Sequence, residues 1–130
     1  MQSSTLKFKP IDLEQHQDWC IRFRADSFIC SFGSAEHFYG ADGSGAERYL
    51  QWLRKRIAEI PGSCVHLWRR EQIIGQIEMS RWKQDVNVGY VNLFYLIPDY
   101  RGQGLGEQLE QYAAHFFKHL GCQSARLCVS

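Results

Sequence analysis

Apolar and polar residues alternate at the start of the chain, Leu6, Phe8 and Pro10 facing one way and Lys7 and Lys9 the other, as in a strand. Asp12 follows as a helix N-cap with Gln15 placed to complete a capping box, and a helix is expected through Trp19 and Phe23 toward Phe28. The stretch SFGSAEHFYGADGSG, Ser31 to Gly45, crowds glycine and serine around aromatic residues and predicts a loop able to move over a site. Ser44 and Glu47 form a second capping box ahead of Tyr49, Leu50, Leu53, Ile57 and Ile60, which keep helical spacing up to Pro61 and Gly62. SCVHLWRREQIIGQIEMS then reads as two strands of a hairpin joined by a polar turn at Arg69 to Gln72. NVGYVNLFYLIP is a nearly continuous apolar run, which predicts a central strand covered on both faces.

Gly102, Gly104 and Gly106 come next, directly before a helix whose apolar stripe is Leu105, Leu109, Tyr112, Ala113, Phe116, Phe117 and Leu120, with Gly121 placed to end it. ARLCV closes the chain as a further strand. Strand, helix and strand in this order imply a βαβ unit and one parallel strand pair. The fold class is therefore α/β: a mixed, mostly antiparallel sheet with helices on both faces.

The chain of 130 residues suits one domain, residues 1–130, with ordinary globular composition. A net charge of +1 argues against a nucleic-acid partner. The N-terminus is polar and no apolar stretch approaches the ~20 residues needed to cross a bilayer, so neither a secretory signal nor a membrane partner is expected. Five scattered cysteines without a CxxC pair read as reduced thiols, mostly buried, in a cytoplasmic protein.

Three glycines before a helix weaken regular structure, and the compensating use is anion binding. Amides at a helix N-terminus lack partners, the helix dipole is positive there, and glycine lets the backbone approach a phosphate closely. A Walker A loop needs GK[ST] where Gly106 and Glu107 stand, and a dinucleotide GxGxxG needs a small residue where Glu107 or Leu109 stands. Both readings fail on spacing. A plain glycine-rich turn that binds nothing is the remaining bland alternative.

IPDYRGQGLG, with Arg101 three positions ahead of Gly104 and Gly106 two beyond it, resembles the signature of the GNAT N-acetyltransferase superfamily, and the order of elements matches along essentially the whole chain. The resemblance implies an acyl-CoA N-acyltransferase fold whose parallel pair splays apart at the sheet centre, and acetyl-CoA as co-substrate. It places the diphosphate on the amides of Gln103, Gly104, Leu105, Gly106 and Glu107, with Gly102 shaping the loop and Arg101 assisting. Main-chain groups of Phe94, Tyr95 and Leu96 would pair with the pantetheine arm like an added strand, and an amide near Leu96 would polarise the thioester carbonyl. The implied reaction is acetyl transfer to a primary amine of a small molecule or peptide by direct attack, with no metal.

Such an amine must lose a proton first. Glu78, near a strand end beside the expected acceptor cleft, is the candidate base, its bland alternative being a solvated charge. Tyr90 and Asn92 share a strand face by the period of two and are candidates to hold a relay water. His66, Trp68, Phe38, Tyr39, Trp52 and Trp82 are candidates for an acceptor pocket or for the core. His115 and His119 have metal-ligand spacing but fall outside the apolar stripe, so they read as solvated, and the basic run Arg54 to Arg56 reads as a solvated face or a site for an acidic group. The family pattern continues with a further helix, carrying a tyrosine suited to protonating the thiolate, and a hairpin. Here the sequence stops at Ser130, so the expectation is a domain completed by further chain or by a second copy in a homodimer.

Overall fold

The computed structural model describes residues 6–127, and Cys128 and Val129 of the expected last strand lie outside the described residues. Five strands, β1 (Leu6–Pro10), β2 (Cys64–Arg69), β3 (Gln72–Trp82), β4 (Asp85–Leu96) and β5 (Ser124–Leu127), form one sheet in that spatial order. Every neighbouring pair is antiparallel except β4 and β5, which run parallel over Val88–Val91 and Ser124–Leu127. Among the described residues the parallel pair thus lies at an edge of the sheet, whereas the sequence reading put it at the centre.

Helices α1 (Leu13–Phe32), α2 (Glu36–Tyr39) and α3 (Gly45–Glu59) cover one face and α4 (Leu105–Leu120) the other. α4 seats Leu109, Ala113 and Phe117 on Val65, Leu67, Ile74, Ile77, Met79 and Val91. Burying each such aliphatic or aromatic side chain contributes roughly 1.5–3 kcal/mol. The Phe117 ring lies so close over Gly89 that a Cβ there would overlap it, which explains a glycine inside a strand. On the opposite face Cys20, Phe38, Tyr49 and Leu53 form a second cluster, and Phe23, Leu93 and Tyr95 a third.

Two local expectations are corrected. Asp12 caps α1 by accepting from the Glu14 and Gln15 amides, but the helix bends at His16 and runs on to Phe32, where Gly33 ends it at φ 80°. Ser31 and Phe32 are therefore helical, and the supposed loop contains the short α2. Ser44 does not cap α3 with its side chain, because its hydroxyl donates to Asp42 and accepts from Arg48. β4 is covered on both faces as expected, Val91, Phe94 and Leu96 packing in the α4 cluster and Leu93 and Tyr95 against α1, although Tyr90, Asn92, Phe94 and Leu96 stay half-exposed.

Cys20 and Cys64 are buried, Cys122 half-buried and Cys30 exposed. Burial pushes the Cys64 thiol up to about 12 and Cys20 higher still, so both are protonated at neutral pH.

Candidate active site

Two features meet where β4 ends. Pro98–Tyr100 turns the chain, Gly102 and Gly104 take φ of 74° and 80°, and α4 starts at Leu105 with Gly104 as its cap. Both glycines are required by that left-handed backbone. Gly106 is different: its backbone is helical, and nothing lies within 4 Å of where its Cβ would be. Neither conformation nor packing within the chain explains it. Among the described residues nothing lies within 4 Å of a Cβ built on Gly102 or Gly104 either, so the turn before α4 borders open space. With no side chain capping α4, the first amides of a 16-residue helix face that space carrying the positive end of its dipole. The donors and the cradle fit a diphosphate. Gln103 steadies the loop by donating from Nε2 to the Asp99 carbonyl at 2.7 Å, and Glu107 is exposed.

The second feature is an edge. Ile97 N–H donates to Ile74 O at 2.9 Å, so Ile97 points its main chain at β3, and by alternation Tyr95 does too. Phe94 and Leu96 then turn their main-chain groups the other way, beyond Val91, the last β4 residue that β5 pairs with among the described residues. Of the three residues expected to pair with a ligand strand, Phe94 and Leu96 therefore face away from β3, the Leu96 carbonyl already accepting from Arg101, and Tyr95 spends its own groups in the ladder. Behind this edge a small apolar cavity of about 170 Å³ is lined by Val91, Phe94, Ala113 and Phe117.

Arg101 is not aimed at the glycine amides. Its Nε donates to Leu96 O at 2.7 Å, an Nη lies 3.1 Å from Asp26, and its guanidinium covers the Tyr95 ring. Tyr95 in turn stacks on Phe23 and donates its hydroxyl to Asp26, burial and that bond raising its pKa. Asp26 and Tyr95 border an open cavity of about 590 Å³ against α1 that also meets Tyr39.

On the face that α1 to α3 cover, β4 bulges: Glu78 opposes Leu93 and Met79 opposes Val91, leaving Asn92 extra. Asn92 and Tyr90 both line a cavity of about 430 Å³ with Ser80, Trp52 and Trp82, and Ser80 donates to Asn92 Oδ1 at 2.9 Å. The structure thus brings Tyr90 and Asn92 together as expected, but not Glu78. Glu78 has no exposed surface, accepts from Tyr49 and Gln76, and sits 3.8 Å from Arg24, which donates to the Asn92 carbonyl at 3.4 Å. It is neither solvated nor beside an open cleft. Gln76 continues the buried network to His66 at 2.8 Å. Of the aromatic candidates, Phe38 and His66 are core, Trp68 packs against it, and Trp52 and Trp82 reach the cavity. His115 and His119 are exposed on α4, and the described residues hold no group of three potential metal ligands. No helix among the described residues is long and apolar enough to cross a membrane.

The sequence reading missed Arg24, Asp26 and Ser80. Ser80 had a signal, the polar alternation Gln76, Glu78, Ser80 along a strand, whereas Arg24 and Asp26 act on residues 68 and 69 positions away.

The family model described as Acetyltransferase (GNAT) family matches residues 15–130. Among solved structures, aminoglycoside N-acetyltransferase AAC(6')-Iy in complex with CoA superposes with a TM-score of 0.68 at 15% identity, over 99% of this chain and 80% of that one. A Clostridium acetobutylicum protein described as a predicted acetyltransferase, solved with acetyl-CoA, gives 0.72 at 15% identity over 97% and 82%. A GCN5-related N-acetyltransferase from Ralstonia eutropha gives 0.65 at 19% identity over 96% and 84%. No curated protein matches the chain significantly.

Proposed function

Because the chain belongs to the acetyltransferase (GNAT) family, we propose that it binds acetyl-CoA between the α4 N-terminus and the side of β4 that faces away from β3 at Phe94 and Leu96, and passes the acetyl group to a primary amine of a small molecule or peptide. One observation carries this reading: three glycines lie at an uncapped helix start, and among the described residues no atom comes within 4 Å of a Cβ built on any of them. The amides of Gln103 to Glu107 hold the diphosphate, and Phe94 and Leu96 extend the sheet to the pantetheine arm. An N–H of Phe94 or Leu96 on that side donates to the oxyanion as the amine attacks the thioester carbon. The C–N bond forms, the C–S bond breaks, and the thiolate leaves.

An alkylamine with a pKa near 10.4 is unprotonated in fewer than about one molecule in a thousand at neutral pH. Tyr90 and Asn92, in the wall of the 430 Å³ cavity, hold the water that takes its proton. Glu78, sealed from solvent, is a positioning residue: it holds Arg24, and Arg24 holds the carbonyl of the bulged Asn92.

Calorimetric titration with CoA and thiol release from acetyl-CoA over an amine and peptide panel test the proposal. A module that binds acyl-CoA without turnover is the second reading, favoured by the burial of Glu78 away from the cavity. Thermal stabilisation by CoA with no thiol release on any acceptor selects it.

A further inference from the structure

The cavity beside Tyr90 and Asn92 has a marked charge pattern. Three cations line it, Arg56 from α3 and Arg81 and Lys83 from the end of β3 and its turn, and no carboxylate is among the described residues that line it. A fourth, Arg126 of β5, lies over the Trp82 ring at 4.0 Å. Arg81 is committed to the carbonyls of Val86 and Leu120 at 2.7 and 2.9 Å, bonds that fix it without neutralising it. Arg56 is less settled. Its Nε is buried with no hydrogen-bond partner, and its Nη1 is 3.9 Å from the half-exposed Glu59, too far for a hydrogen bond. An orphaned buried guanidinium donor costs free energy unless an acceptor comes to it.

The walls are aromatic. Trp52 lies under the Arg56 guanidinium at 5.3 Å and Trp82 under Arg126, so flat apolar surfaces are bordered by positive charge. An acceptor amine is itself a cation before transfer. A molecule with several ammonium groups would meet repulsion at each, whereas one bearing an anion beside its amine would meet Arg56 and Lys83.

We propose that this cavity selects an amine that also carries a carboxylate, with an aromatic or apolar body lying between Trp52 and Trp82, and that it disfavours polycationic amines. The inference rests on the transfer reading above and names the substrate class of that same site. It also gives the Arg54 to Arg56 run a use: Arg54 and Lys55 are exposed while Arg56 turns inward.

The test uses matched pairs, phenylalanine against phenethylamine and tryptophan against tryptamine, with spermidine as the polycation. Each is titrated calorimetrically into the CoA-saturated protein and assayed for thiol release with acetyl-CoA. The carboxylate member of each pair is expected to bind and react at least tenfold better, with spermidine weakest. In the Arg56→Met, Lys83→Met double variant that advantage falls below threefold, while CoA affinity stays as in the parent. Equal or better handling of the decarboxylated amines or spermidine overturns the anion selectivity and leaves acetyl transfer standing. Carboxylate binding that is lost in the double variant, without thiol release, upholds the selective site and defeats the transfer reading. Absence of binding by either pair overturns the proposal.

Discussion

Gly106→Asp separates what the protein needs from what its ligand needs. Gly106 is in the first turn of α4, its backbone is helical, and a side chain there meets no atom within 4 Å. Replacing glycine by aspartate inside a helix removes about 0.3 kcal/mol of conformational penalty, and a carboxylate in a first turn adds about 0.3–1 kcal/mol through the helix dipole. A net gain of about 1 kcal/mol raises Tm by about 4 °C in a chain of this length. Binding moves the opposite way, because the carboxylate occupies the cradle assigned to the diphosphate. Unit charges ~4 Å apart repel by about 4 kcal/mol at an effective dielectric of 20, and screening to about half of that still weakens CoA roughly thirtyfold. Scanning calorimetry of the free protein and titration with CoA read the two quantities separately. A variant that gains stability yet binds CoA like the parent would refute the placement of the diphosphate. One that loses stability would refute the open space in front of Gly106.

Other substitutions probe the scaffold and the proton route. Gly89→Ala forces a methyl into the Phe117 ring and is expected to cost about 1–3 kcal/mol in denaturant unfolding, part of which Phe117→Leu restores in the double variant. Glu78→Leu strands Tyr49, Gln76 and Arg24 without their acceptor and costs about 3–5 kcal/mol, read as a lower urea midpoint. Glu78→Gln leaves the acidic limb of the rate profile in place if Glu78 only positions Asn92, and disappearance of that limb would make it the base. His66 is held neutral by burial, its pKa lowered from 6.5 to about 4. The unfolded chain therefore takes up a proton first as pH falls. Stability is full above pH 6.5 and declines between 6.5 and 4, by roughly 3 kcal/mol at about 1.36 kcal/mol per pH unit. His66→Gln should flatten that decline in urea titrations run across the interval.

The helix stripe of α4, the glycine run before it and the order of strands were legible because each is written in residues adjacent in sequence. Capping at Ser44 was misread because Asp42, two positions earlier, engages the same hydroxyl. Phe32 was assigned to a loop because Gly33, not the serine and glycine content around it, decides where α1 stops. The burial of Glu78 and the retention of Arg101 by Asp26 depend on α1 and α3 lying against the sheet, contacts between residues 29 and 75 positions apart that no local pattern encodes. The side of β4 that faces away from β3 sits between these cases. Alternation gives the two sets of residues, but only the Ile97 to Ile74 bond tells which set faces outward.

Amide chemical-shift mapping of the isotope-labelled protein during a CoA titration tests the central claim most directly. The largest saturable shifts are expected at Gly104, Leu105, Gly106 and Glu107, followed by Phe94 and Leu96, with Tyr95 moving less. Saturable shifts confined to other surfaces, with those amides unmoved, would contradict the account.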